Sequence, residues 1–169
     1  LHNQNKRLNW HDEPWETSWA VLAILEADQT QELMQICIDS ALWLISLQNS
    51  EGKIVAPHYT AYAIQICTAI LENFKELSAE NKEIMTQSIN KAKEFLLSHV
   101  DEDNLWQGEA WANGQILWIL ASNELTPAND SDFFWRTVNW FVKAQDKNTG
   151  KWEDVEGTSS ALLGLGALL

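Results

Sequence analysis

The chain has 169 residues, 46% of them hydrophobic, which suits one domain with a sizeable core. Its 24 Asp+Glu against 11 Lys+Arg give a formal charge of −13 and exclude nucleic acid or an anionic membrane surface as the main partner. Two Cys without a CxxC pair exclude a disulfide scaffold or a Cys-rich zinc module, no apolar run is long enough for a membrane span, and no N-terminal signal pattern is present. The expectation is a cytoplasmic protein without membrane insertion, metal or cofactor. Ten Trp with only three Pro and seven Gly predict long elements rich in buried rings.

In chain order, two kinds of helix alternate. The first helix starts at Thr17, after Trp10 and the short acidic run that follows it, and reads SWAVLAIL. A second helix spans roughly 30–48, with Leu33, Ile36, Cys37, Ser40, Ala41 and Leu44 on one stripe and Glu32, Gln35 and Asp39 facing away. After Ile54 a third starts at Thr60. The fourth, roughly 80–99, sets Ile84, Met85, Ser88, Ala92, Phe95 and Leu96 against Glu83, Gln87, Lys91 and Glu94. After Trp106 a fifth starts at Ala112. A sixth covers roughly 130–145, with Asp130, Ser131 and Asp132 as its start signal after Pro127, and after Trp152 a seventh starts at Thr158.

The starts at 17, 60, 112 and 158 are 43, 52 and 46 residues apart, each six or seven positions after a lead residue, Trp10, Ile54, Trp106 or Trp152. That period fits a two-helix repeat. The odd-numbered helices are apolar nearly all round and are expected to be buried on all sides. The even-numbered ones are amphipathic and half-exposed. The long middle step predicts an extra loop around residues 73–81.

Each amphipathic helix ends in a recurring phrase. Gln48 is followed by Gly52 and Ile54, Gln145 by Gly150 and Trp152, and His99 by Asn104 and Trp106. Residues 4–10 carry a worn copy. Gly52 and Gly150 suit the left-handed residue that ends a helix, with Asn104 the next-best choice. The Gln reaches back to the exposed backbone of the turn, and the Trp ring folds over the joint.

The phrase from Gln145 through Gly150 and Lys151 to Trp152 resembles the QW motif of squalene-hopene and other triterpene cyclases. The starts at Thr17, Thr60 and Thr158 resemble the inner-helix starts of the wider prenyltransferase and squalene cyclase repeat. The resemblance implies an all-α fold, an α/α toroid of helical hairpins in which apolar inner helices surround a central cavity and amphipathic helices lie outside. About three and a half hairpins fit in residues 1–169, read as a single repeat domain and as a partial ring. The start at Leu1 and the stop within the apolar run 161–169 add to the expectation of a piece of a longer chain. The family's catalytic Asp-x-Asp-Asp motif is not intact: Asp101, Glu102 and Asp103 are followed by Asn104, in the turn after an outer helix. Cys37 and Cys67 lack a His at ligand spacing, so the zinc site of the protein prenyltransferases is not expected.

The loops leading into the inner helices carry Asp12, Glu13, Glu16, Glu109, Glu153, Asp154 and Glu156, and neither Lys nor Arg lies between any lead residue and its helix start. Acids there complement helix N-termini. They also make, with Trp15, Tyr59, Trp111, Trp19 and Tyr62, an acidic, aromatic-lined mouth. Such a mouth suits an apolar or cationic small molecule and is hostile to diphosphate. The expected ligand-binding set is Trp15, Trp19, His58, Tyr59, Tyr62, Trp111, Glu16 and Glu156. Glu109, if buried, and Asp154 are the candidate acids, and His58 is either a general base or a partly exposed cap.

Three functions follow as expectations: a terpenoid cyclase- or prenyltransferase-like toroid holding a small ligand, with proton-initiated cyclisation as its chemistry if it is an enzyme; a non-catalytic scaffold recognising a peptide or partner domain; and an α/α-barrel carbohydrate enzyme using two mouth carboxylates. Inner-helix surface left bare at the ends is expected to favour self-association.

Overall fold

The computed structural model describes residues 9–27, 30–103, 105–125 and 131–168. Those residues form seven helices and no strand, an all-α fold: α1 (Pro14–Ala27), α2 (Gln31–Ser46), α3 (Pro57–Asn73), α4 (Ala79–Ser98), α5 (Ala110–Ser122), α6 (Ser131–Ala144) and α7 (Val155–Gly166). The residue-4–8 copy of the phrase, Asn104, Pro127 and Asp130 lie outside the described residues. The chain divides into two compact units, 1–94 and 95–169.

In the first unit α1, α2 and α3 pack on one another. The stripe expected of α2 is buried at Cys37, Ser40, Ala41 and Leu44, and it meets Val21 of α1, Ile66, Cys67 and Ile70 of α3, and Met85 of α4 in one apolar cluster. On α4, Met85, Ser88 and Ala92 are buried as expected, whereas Ile84 is exposed: it sits at the edge of the stripe, one position from the buried Met85. Thr30 caps α2, its hydroxyl accepting from the Leu33 N–H. Pro57 opens α3, where a missing N–H costs nothing.

In the second unit α5 and α7 lie against each other at the closest approach backbones allow. A Cβ on Gly114 would fall 2.2 Å from the Ser160 carbonyl oxygen, and one on Gly164 would fall 2.6 Å from the Gly114 carbonyl oxygen. Only glycine fits both places. α6 buries Phe133, Thr137, Trp140 and Phe141 and exposes Trp135, Asn139 and Lys143.

Three expectations change. The helices begin at residues 14, 57, 110 and 155, two or three positions before the expected starts. The reason is that Thr17, Thr60 and Thr158 do not sit at the helix border. They lie one turn inside, where each hydroxyl accepts the backbone N–H of its lead residue: Trp10 to Thr17 at 3.0 Å, Ile54 to Thr60 at 2.8 Å and Trp152 to Thr158 at 3.1 Å. In the third repeat Asn113, not Ala112, does this, its Oδ1 accepting from Trp106 N–H at 3.2 Å. Next, the long middle step is not an extra loop. The α3–α4 connection is 74–78, and the added length is helix, α3 having 17 residues and α4 20. Finally, α3 and α5 are buried nearly all round, but α1 and α7 are not: Trp19, Leu162 and Leu163 stand exposed, because each of these helices is covered along one side only.

The joints follow the expected phrase. Gln48 Nε2 donates to the Gly52 carbonyl at 2.9 Å, and Gln145 Nε2 to the Gly150 carbonyl at 2.7 Å. Gly52 (φ 96°) and Gly150 (φ 71°) are both left-handed. Gly52 has a second reason to be glycine, since a Cβ there would lie 2.2 Å from the Lys91 carbonyl oxygen, whereas the nearest atom at Gly150 is 3.9 Å away. The rings of Trp106 and Trp152 are buried, and their indole N–H groups donate to Leu96 O at 2.6 Å and Phe141 O at 2.7 Å. Side-chain carboxyl or amide oxygens of Asn49, Asp101 and Asp146 tighten these turns by accepting nearby backbone N–H groups. The bonds from Thr149 and Asn148 hold the Asp146 carboxyl below its ordinary pKa. Asp101, Glu102 and Asp103 form an exposed turn of this kind.

Candidate functional site

Within the first unit, the beginnings of α1 and α3 lie side by side, and five of the expected ligand-binding residues meet there. Trp15, Trp19 and Tyr62 form a near-equilateral triangle of rings, with centroids 5.7 Å (Trp15–Trp19), 5.8 Å (Trp15–Tyr62) and 5.7 Å (Trp19–Tyr62) apart and steeply inclined planes. His58 stands 6.5 Å from Trp15 and 4.0 Å from Tyr59. These spacings are those of packed aromatic pairs. Helical spacing explains the convergence: Trp15 and Trp19 are i, i+4 on α1, and His58 and Tyr62 are i, i+4 on α3.

The rings differ in access. Tyr62 and His58 are buried, Trp15 and Tyr59 are half-buried, and Trp19 is 45% exposed. A partly exposed cap role for His58 is therefore wrong: it is the second residue of α3, set behind Pro57 and packed between Trp15 and Tyr59. Burial and, after it, the negative charge of Glu13 push the Tyr59 hydroxyl above its ordinary pKa. Glu16 pairs with His11 at the surface. Trp15, Glu16 and Tyr59 were expected in loops but belong to first helical turns, as do Trp111 and Glu156.

The second unit uses its acids differently. Glu153 Oε1 accepts the Ala110 N–H at 2.8 Å and so caps α5 from the loop before α7, which also sets the starts of α5 and α7 at one end of that unit. Asp154 caps its own helix, accepting from Gly157 N–H at 2.9 Å. Glu109 sits at the N-cap position of α5 without a side-chain cap bond, and it is exposed, so the burial that an acid role required is absent. Asp154 is committed to its cap. Glu156 is exposed in the first turn of α7, and Trp111 is half-buried on α5. Among the described residues every Asp and Glu is exposed except the half-buried Asp39, and no group of His, Cys, Asp and Glu is arranged to hold a metal. Cys37 and Cys67 are buried free thiols, pushed up by burial to about 11 and about 12.

Sequence reasoning missed Asn113, and it counted Glu13 and Glu153 among the mouth acids without assigning either its particular role. Asn113 was hidden by a one-residue shift, since its distance from Trp106 is seven, as from Trp10 to Thr17, and not six. Glu153 acts across 43 residues, a range no local pattern carries. No protein-family model, curated protein or solved structure matches the chain.

Proposed function

We propose that the chain supplies consecutive hairpins of an α/α toroid of the terpenoid cyclase and prenyltransferase kind, and that the α1–α3 end of its first unit binds a small apolar or cationic molecule. One observation carries the binding reading: Trp15 and Trp19 are fixed around Tyr62 with ring surface left open to solvent, and the charge of the exposed Glu13 reaches the neighbouring Tyr59. Ring faces attract cations, and the Glu13 charge adds to the attraction. A diphosphate meets the opposite field, because neither Lys nor Arg lies between any lead residue and its Thr or Asn partner.

Binding is favoured over catalysis. Proton-initiated cyclisation asks for a buried carboxyl with a raised pKa, and the described residues offer only exposed or half-buried ones. A glycosidase asks for two uncommitted carboxylates across a cleft, whereas Glu153 and Asp154 are engaged as helix caps.

Tryptophan fluorescence tests the reading. A short-tailed alkyltrimethylammonium salt is expected to change the emission saturably, and its uncharged isostere to do so more weakly. Trp19→Ala is expected to weaken the ammonium by about fivefold, the equivalent of roughly 1 kcal/mol for one exposed ring, with an unchanged circular dichroism spectrum. Farnesyl diphosphate is expected not to bind. Tight calorimetric binding of farnesyl diphosphate, or equal responses to the ammonium and its isostere, overturns the proposal.

A further inference from the structure

We draw no further inference here: the strongest candidate, the exposed face of α7 that carries Val155, Ser159, Leu162 and Leu163, is an unpartnered surface, and nothing in the structure shows what covers it.

Discussion

The two units join their odd-numbered helices by opposite means. In the first, α1 and α3 meet through the bulky rings of Trp15, Trp19, His58 and Tyr62. In the second, α5 and α7 meet backbone to backbone at Gly114, Ser160 and Gly164. Yet the loop entering each odd-numbered helix is tied by the same bond, a lead N–H to a Thr or Asn side chain. The repeat therefore fixes how each helix is entered and leaves the spacing between helices to side-chain size. Close packing through glycine leaves no ring surface between α5 and α7, while packing through rings leaves Trp19 partly open. Open aromatic surface arises here from the ring-packed junction, which is why the proposed site belongs to the first unit.

The sharpest way to break this contrast is Gly114→Val. The Cβ alone would overlap the Ser160 carbonyl, and α5 cannot move without losing the Glu153 cap. A loss of at least about 4 kcal/mol, or failure of the second unit to fold, is expected. Chemical denaturation read in the second unit checks it, and a stable Gly114→Val protein would mean that the helices are not held at backbone contact.

Trp152→Ala ranks next. It removes a buried ring and its bond to Phe141 O, and a loss of about 2–5 kcal/mol is expected. A variant melting like wild type would remove the joint from the list of what holds the second unit together.

The smallest effect separates the units by pH. Both thiols lie in the first unit, with folded pKa values pushed from 9.0 to about 11 and about 12. Below pH 9 both states keep the proton and nothing changes. Above it the unfolded chain ionises first, so stability falls as pH rises through the folded values. At pH 10 the loss is on the order of 1 kcal/mol per thiol. Denaturation at pH 8 and pH 10 is expected to show this slope in the first unit, and the double variant Cys37→Ala, Cys67→Ala to flatten it.

Much of the fold was legible because its signals are local. The stripe of α2 from Cys37 to Leu44, the left-handed Gly52 and Gly150, and the Gln48 and Gln145 bonds to those turns all depend on neighbours a few residues away. Helix starts were misplaced because Thr17, Thr60 and Thr158 look like caps but act one turn inside. The aromatic half of the site was legible for a similar reason: Trp15 with Trp19 and His58 with Tyr62 are one helical turn apart. The acids were not. A carboxylate serves as a cap of its own helix at Asp154, as a cap for another helix at Glu153 and as an uncommitted exposed group at Glu109, and the backbone N–H groups within reach separate the three.

By itself the sequence determined an all-helical chain of alternating apolar and amphipathic rods, since hydrophobic period, glycine placement and the recurring joint act over one or two turns. Tertiary structure alone decided which rods touch through rings and which through bare backbone, and hence where aromatic surface stays open and which carboxylates are consumed. Those outcomes depend on contacts between residues about forty positions apart, where side-chain volume and the placement of unpaired N–H groups, and not local pattern, determine the geometry.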